Sequence, residues 1–313
     1  MSQSEQQTAK TNTAELTVEV NDTSSATSSS SYYQVPEGYR VSENRDAATK
    51  SWYRLPTDDE EVGRLDFQHY VIRYLVHGNF SSPVEDLLLE GIQVLDAGTG
   101  SGRWVLEMAA DYPESTYIGT DKVSIFPTEE IPANCEFMLA NTLNLPFADE
   151  TFGFVYQRNL MMSHTPADWK NAMIEMARVT KPGGWIECFE IDLDMTNPPS
   201  DYTRLRNAVG LATQIKGIDI SVVKKLGSFL ESCGLVEVEQ DYVSCPFAWG
   251  GRVGTLCVRN LELGYLALRA SLAPVMGMTD EEYEEMIYGL AAQFRTNRSW
   301  IKVHYAFGMK PFN

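Results

Sequence analysis

The order of hydrophobic and polar residues along the chain predicts strands that alternate with helices. Short apolar runs typical of buried strands lie at 92–95, 116–119, 135–139, 152–157, 185–191, 235–243 and 301–307. Helical spacing of apolar residues predicts helices over 101–112 and 221–233. A further helix is predicted to begin at Thr165-Pro166, with Asp168 in its first turn, and to end at 181–184. This alternation predicts an α/β fold, a parallel sheet with helices on both faces.

The two flanks of this pattern differ from it. Residues 1–31 contain fourteen Ser or Thr and no Phe, Trp or Tyr, which predicts a disordered tail, either a plain linker or a phosphorylation-rich regulatory segment. Helical spacing after an acidic start predicts a helix near 60–75, within an N-terminal helical lid segment at 32–90. The main domain is predicted at 91–313, with a helical insertion at about 254–298 between the last two strands.

Composition and charge mainly exclude function classes. Lys and Arg number 25 against 43 Asp and Glu, which gives a net charge of -18. This charge argues against a protein that binds nucleic acid or an anionic membrane mainly through electrostatic attraction. No apolar stretch reaches the roughly 20 residues of a membrane span, and no secretory signal is visible. The five cysteines form no C-x-x-C pair, as expected of reduced thiols with no metal site. The expected location is the cytoplasm, the nucleus or both.

A glycine-rich segment, 96–102, stands where the first predicted strand turns into the first helix. Glycines there let the backbone approach a ligand, and a helix N-terminus offers free N–H groups. A dinucleotide fingerprint would need glycine at 103, which is Arg103, so a nicotinamide oxidoreductase conflicts with the sequence. The pattern D-x-G-x-G-x-G resembles motif I of the class I S-adenosylmethionine-dependent methyltransferases. The simpler alternative is a tight turn without a ligand.

Three further motifs are similar to those of that family and follow in its order. Asp121 comes after the second predicted strand, where a carboxylate can accept both ribose hydroxyls. Asn141 occupies the place of an acidic residue that meets the adenine amino group in the family, and its carbonyl oxygen can also accept. Gly153 departs from the family by replacing an Asp in the fourth strand. The run 181–184, Lys-Pro-Gly-Gly, matches the motif before the fifth strand.

The flanking segments resemble a narrower group, the LaeA-like fungal methyltransferases. They are Tyr53–Pro56 with Asp58 to His69, Gly119–Asp121 with Pro127 and Ile131–Asn134, Arg158–Leu160, Asp168-Trp169, Pro182–Glu187 and Gly308–Pro311. The resemblance runs from about residue 53 to 311. It implies a doubly wound, seven-stranded, mostly parallel, Rossmann-like sheet and S-adenosyl-L-methionine as the methyl donor.

The resemblance also implies a set of site residues. Those expected to hold the cofactor are Asp96, Gly98, Thr99, Gly100, Gly102, Asp121, Asn141 and Thr142. Methyl transfer from a sulfonium mainly needs positioning and exclusion of water, with a base only for a protonated acceptor. Sites in such sheets lie beyond the carboxyl ends of the strands. The catalytic candidates are therefore Tyr156 and Arg158 at the end of strand four, Glu190 at the end of strand five, and His69 on the lid helix, with Tyr53 as a further lid residue.

Several of these residues have a plainer interpretation. Arg158 either orients an acidic acceptor or pairs with Glu190. His69 and His164 fit packing or loop roles as well as catalysis. Trp104 and the methionines near strand four are interpreted as core. The run 197–200, Asn-Pro-Pro-Ser, resembles the N-P-P-aromatic motif of nucleic-acid methylating enzymes but lacks the aromatic residue, and it is interpreted as a loop.

Two functions stay open at this point. The first is a methyltransferase that acts on an unidentified acceptor, expected to be a small molecule of secondary metabolism. The second is a nuclear regulator of secondary metabolism that acts in a complex with a velvet-type protein, with methylation of a protein or with no essential catalysis. Neither function involves a membrane or direct contact with nucleic acid.

Overall fold

Seven strands form one sheet whose order reverses beside its first strand. The computed structural model describes residues 60–312. The strands are β1 (Gln93–Ala97), β2 (Thr116–Asp121), β3 (Cys135–Leu139), β4 (Phe152–Arg158), β5 (Thr180–Thr196), β6 (Val236–Pro246) and β7 (Trp300–Met309). Their order across the sheet is β3-β2-β1-β4-β5-β7-β6. Neighbours from β3 to β5 run parallel, whereas β7 runs antiparallel to both β5 and β6. The predicted doubly wound, mostly parallel sheet is confirmed.

Helices precede the sheet, connect its strands and fill the predicted insertion. They are α1 (Glu60–Val76), α2 (Glu85–Glu90), α3 (Arg103–Asp111), α4 (Pro166–Val179), α5 (Ser200–Ile215), α6 (Leu226–Ser232), α7 (Arg252–Ala267), α8 (Arg269–Met276) and α9 (Asp280–Asn297). The last three lie between β6 and β7, as predicted, and α1 packs against α7. No helix within 60–312 is both long and apolar enough to cross a bilayer.

Three elements differ from the sequence prediction. Helix α5 begins at Ser200, the last residue of the run predicted as a loop, and its N-cap Pro199 makes no side-chain cap that could have signalled a start. The helix predicted over 221–233 is instead a 3-10 helix, Ile220–Lys225, followed by α6. There the N–H of Gly227 donates to Gln240 of β6 at 2.6 Å, so this backbone group bonds to the sheet. Strand β5 extends to Thr196, so Glu190 lies inside the strand rather than at its end.

Side chains alternate between the two faces of the sheet and give it two cores. Val94 and Phe154 pack on one face with residues from α1, α3, α5, α7 and α9. Leu95 and Val155 pack on the other face with residues from α4 and α6. This period of two is what strands buried on both faces require.

Some sequence predictions lie outside the described residues. They include the tail at 1–31, the lid residue Tyr53 and the part of the lid segment before residue 60. The division of the chain at 31 and 90 therefore stays a prediction.

Candidate active site

The glycine-rich loop leaves β1 at the point where the strand order of the sheet reverses. The N–H groups of Gly98 and Thr99 both donate to the carbonyl of Thr120 at 2.8 Å, which ties the loop to the end of β2. A Cβ at Gly98 would lie 2.8 Å from Leu160, and one at Gly102 would lie 2.6 Å from the ring of Phe137. Both glycines also have positive φ, so side chains are excluded on conformational and steric grounds.

Two carboxylates stand beside this loop. Asp121 accepts the Gly100 N–H through Oδ2 at 2.9 Å and the Val123 N–H through Oδ1 at 3.1 Å. Asp96 is 3% exposed and accepts the Thr99 hydroxyl through Oδ2 at 2.8 Å. Burial raises the pKa of Asp96 to about 6, although the Thr99 hydrogen bond and the charge of Arg158 act in the opposite direction. The loop is therefore flanked by fixed acceptor oxygens.

A buried histidine links the end of β4 to α1 and α3. Arg158 Nη2 donates to Nδ1 of His69 at 3.0 Å, so the ring proton is on Nε2, which donates to Glu107 at 2.9 Å. Burial lowers the pKa of His69 to about 4, with the charge of Arg158 adding to this effect, so the ring is neutral at physiological pH. Glu107 also pairs with Arg73 at 3.1 Å. Both nitrogens of His69 are thus engaged, Nδ1 with Arg158 and Nε2 with Glu107.

Glu190 fixes the segment that follows β4. Its carboxylate oxygens accept the N–H groups of Leu160 at 2.8 Å and Met161 at 3.1 Å. Burial raises the pKa of Glu190 to about 8, against these two hydrogen bonds and the charge of Arg158. Because the Leu160 side chain lies over Gly98, Glu190 also helps to position the side chain that covers the glycine-rich loop.

A single cavity of about 620 Å³ joins this polar region to an apolar one. The polar end is lined by Asp96, Gly98, Thr99, Gly100, Ser101, Asp121, Arg158 and Glu190. The apolar end is lined by residues of α1, β5, α5, β6, α7 and β7, including Val71, Leu193, Tyr202, Phe247, Leu261 and Val303. A volume in this range is typical of small-molecule sites.

Comparisons with known proteins agree with this arrangement. The family described as "Methyltransferase domain" matches residues 94–184, which include the glycine-rich loop and the end of β4. The chain is 26% identical over 275 residues to N-methyltransferase sirN of Leptosphaeria maculans, covering 84% of this chain and 96% of that protein. It is 28% identical over 207 residues to the secondary metabolism regulator LAE1 of Cochliobolus heterostrophus, covering 62% of this chain and 66% of that protein. The chain therefore carries a methyltransferase domain and is similar to the LaeA-like fungal methyltransferases.

Solved structures with a similar backbone are more distant in sequence. Phosphoethanolamine N-methyltransferase 2 of Haemonchus contortus, in complex with S-adenosyl-L-methionine, has a TM-score of 0.49 and 14% sequence identity. The match covers 80% of this chain and 57% of that chain.

The structure brings together most of the predicted site residues. Asp96, Gly98, Thr99, Gly100 and Asp121 line one cavity with two catalytic candidates, Arg158 and Glu190. The other predicted residues, Gly102, Asn141, Thr142, Tyr156 and His69, are not among the lining residues that the structure describes.

Three of those residues have other local partners. Asn141 is exposed, and its Oδ1 accepts the Leu143 N–H at 3.1 Å. Thr142 is buried and bonds His164 Nε2 at 3.0 Å. Tyr156 stacks on Trp104 at 4.2 Å, and burial raises the pKa of its hydroxyl far above the ordinary value.

Two residues that line the cavity were not predicted as site residues from the sequence. Asn159 follows β4, and Asn260 lies in α7. The Oδ1 atoms of both are buried without a hydrogen-bond partner among residues 60–312. The position of Asn159 directly after strand four was the one available signal, since that is where such sheets carry their sites. The sequence signal at Asn260 was weak, namely that a residue of low helix propensity stands inside a predicted helix.

Proposed function

We propose that this enzyme transfers the methyl group of S-adenosylmethionine to a small-molecule acceptor bound in the apolar end of the cavity. The observation that carries the proposal is the continuity of one cavity, from the carboxylates beside the glycine-rich loop to the apolar walls of α1, α5 and α7. Donor and acceptor would then meet inside the protein, where water is excluded.

The polar end has the groups that the cofactor needs. Asp121, fixed by two backbone N–H groups, offers its carboxylate to the ribose hydroxyls. Asp96 and Arg158 offer opposite charges, which suit the ammonium and the carboxylate of the methionyl part. Gly98 and Gly102 keep side chains out of the loop. Asn141 would use the second lone pair of its carbonyl oxygen for the adenine amino group.

The chain itself mainly positions the reactants. Bound there, S-adenosylmethionine would supply a methyl group already activated by its sulfonium. Arg158 is held by His69, whose two ring nitrogens are both occupied, so we assign His69 a positioning role rather than that of a base. Glu190 holds the segment after β4 through two backbone hydrogen bonds, and we assign it a positioning role as well. The apolar walls exclude water from the path of the methyl group.

A second candidate function is regulation within a protein complex. One relative is named a secondary metabolism regulator, and this supports a role in which a velvet-type partner binds the chain and methylation is directed to a protein or is dispensable. The apolar end of the cavity favours a small-molecule acceptor over this reading.

Calorimetric titration with S-adenosylmethionine and S-adenosylhomocysteine tests the cofactor site. We expect Asp121→Ala to weaken binding of both by about 1.5–3 kcal/mol, the range for hydrogen bonds to a carboxylate, which is about 10- to 150-fold in Kd. Glu136→Ala, which removes an exposed carboxylate of β3, is the matched control and should leave Kd unchanged. Wild-type protein that is folded yet binds neither compound would contradict the enzyme function.

The acceptor class is tested by methyl labelling. The protein is incubated with methyl-labelled S-adenosylmethionine and a host extract separated into small-molecule and protein fractions. We expect label in the small-molecule fraction, and less of it with Asp121→Ala when S-adenosylmethionine is below saturation. Label confined to the protein fraction would favour the regulatory function instead.

A further inference from the structure

The geometry points to an acceptor that is neutral, largely apolar and equipped with N–H or O–H donors, which the amide oxygens of Asn260 and Asn159 bind. This inference rests on the proposed function, because it concerns the acceptor end of the same cavity. It assigns two specificity-determining residues that face the acceptor rather than the cofactor.

The lining residues that α5, β6, α7 and β7 give to the apolar end are all uncharged, and the polar ones are few, chiefly Asn260 and the tyrosines Tyr202 and Tyr265. Helix α1 adds Glu61 and Arg64 to the lining of the cavity, and these two side chains pair with each other at 2.7 Å. The Tyr202 hydroxyl already donates to the carbonyl of Leu193 at 2.8 Å. A charged acceptor would lose its hydration there without gaining a counter-charge. The acceptor is therefore neutral in the portion that enters this end.

Asn260 supplies an acceptor atom within these apolar surroundings. It lies in the interior of α7, and its Oδ1 is buried with no partner among residues 60–312. A buried carbonyl oxygen without a hydrogen bond costs folding free energy, which a leucine of similar size would avoid. A ligand with an N–H or O–H group at this point would donate a hydrogen bond to the oxygen. A ligand without such a group would leave the oxygen unsatisfied, so the site would select for ligands that carry a donor.

Asn159 supplies a second acceptor atom next to the cofactor end. Its backbone has φ 58°, a left-handed conformation, and its N–H donates to the carbonyl of Phe189 at 3.0 Å. The following residue, Leu160, is fixed by Glu190 and lies over Gly98 of the glycine-rich loop. The Asn159 Oδ1 is buried without a partner in the described chain, so it is placed to accept a proton-bearing group close to where the methyl arrives.

Three related probes test the inference by fluorescence titration in the presence of saturating S-adenosylhomocysteine. They are 2-naphthamide, which has N–H donors, N,N-dimethyl-2-naphthamide, which has none, and 2-naphthoate, which is charged. We expect wild-type protein to bind 2-naphthamide about 5- to 10-fold more tightly than either of the others, the range for one or two hydrogen bonds. Equal affinity for all three, or binding of none, overturns the inference.

Variants then assign the preference to the two residues. Asn260→Leu is expected to reduce the preference for 2-naphthamide to within about twofold. Asn159→Gly, which tolerates a positive φ, is expected to do the same, and both should keep their affinity for S-adenosylhomocysteine. An unchanged preference in both variants overturns the inference. Wild-type protein that does not bind S-adenosylhomocysteine would instead contradict the proposed function. The failure of the inference and the failure of the proposed function are therefore distinguishable.

Thermal unfolding of the free protein gives an independent readout. Asn260→Leu is expected to raise Tm, because it removes an unsatisfied buried oxygen. Asn207→Leu is the control, since it makes the same change in an exposed position of α5 and reports helix propensity alone. A Tm for Asn260→Leu below that of wild type would mean that the oxygen is paired in the folded protein, and would overturn its assignment to the acceptor.

Discussion

Two carboxyl groups on the cavity wall are buried although burial opposes their ionisation. The pKa of Asp96 is raised to about 6 and that of Glu190 to about 8 by desolvation. Two backbone hydrogen bonds offset the desolvation of Glu190, whereas Asp96 accepts a hydrogen bond from the hydroxyl of Thr99. A carboxylate with so little support is typical of a functional site, where stability is sacrificed for a charge that a ligand will meet.

Asp96→Asn is therefore expected to stabilise the free protein at neutral pH. The folded-state pKa of about 6 lies above the ordinary aspartate pKa of 3.8, so the folded protein binds more protons than the unfolded one between these pH values. Stability then falls as pH rises from about 4 to about 6, by up to about 3 kcal/mol at neutral pH. The asparagine retains a carbonyl oxygen for the Thr99 hydroxyl and carries no charge.

Urea unfolding at several pH values measures this effect. The stability difference between Asp96→Asn and wild type should be largest above pH 7 and should vanish near pH 4. Glu136→Gln, on the exposed surface of β3, should show a small difference that hardly varies with pH. An Asp96→Asn difference that is the same at pH 4 and pH 7.5 would mean that burial of the charge is not its cause.

Sequence predicted residues at the polar end of the cavity better than residues at its apolar end, for a physical reason. Asp96, Gly98 and Gly100 are neighbours in one loop, and Asp121 follows the adjacent strand, so strand periodicity alone brings them to one edge of the sheet. Asn260 and the pair of His69 with Glu107 depend on contacts between α1, α3 and α7, which local patterns do not specify. Whether a buried amide oxygen lacks a partner is visible only once those contacts are known.

At the scale of elements, strands were predicted with few errors because the apolar runs of the central strands β1, β4 and β5 are buried on both faces. The start of α4 was also predictable, since Thr165 and Asp168 form a reciprocal capping box at its N-terminus. Helix α5 was missed because its first turn has no such cap and follows two prolines. Its buried face, with Tyr202 and Leu205, nonetheless forms part of the cavity side of the core.

Helix α7 depends on one glycine for its place against the end of β6. A Cβ at Gly254 would lie 2.7 Å from the carbonyl carbon of Trp249, so the preceding loop has no room for a methyl group. Gly254→Ala is expected to destabilise the protein by about 1–3 kcal/mol, the usual cost of overpacking. It should also weaken acceptor binding, because α7 carries Asn260.

The same substitution further along the helix is the control. Gly264 has open space where a Cβ would stand, so Gly264→Ala should raise stability by up to about 1 kcal/mol through helix propensity. Urea unfolding of both variants gives the comparison. Equal and small effects at the two positions would contradict the close approach of Trp249 to α7.

At the scale of the whole molecule, the sheet order places the polar end of the cavity at the reversal between β2, β1 and β4. The predicted topology therefore also indicated where a cavity would lie, since ligands of doubly wound sheets bind at this reversal. The acceptor end is built mostly from α1, α5 and α7, which lie outside the repeating strand–helix pattern. Its walls can vary in sequence without altering the sheet, which is why the fold alone does not identify the acceptor.

The net charge of -18 belongs to the molecule as a whole and predicts a difference between the two cofactor forms. S-adenosylmethionine carries one net positive charge at neutral pH and S-adenosylhomocysteine carries none, although their shapes are nearly the same. A negative field accelerates association of the cation and is screened by salt, because the Debye length shortens from about 30 Å at 0.01 M to about 10 Å at 0.1 M.

Stopped-flow fluorescence can follow both ligands, since Trp104 lies on the cavity wall. Between 20 and 300 mM NaCl we expect the association rate constant to fall about threefold or more for S-adenosylmethionine and to stay within about twofold for S-adenosylhomocysteine. An equal fall for both would show that the charge of the molecule does not steer the cofactor into the cavity.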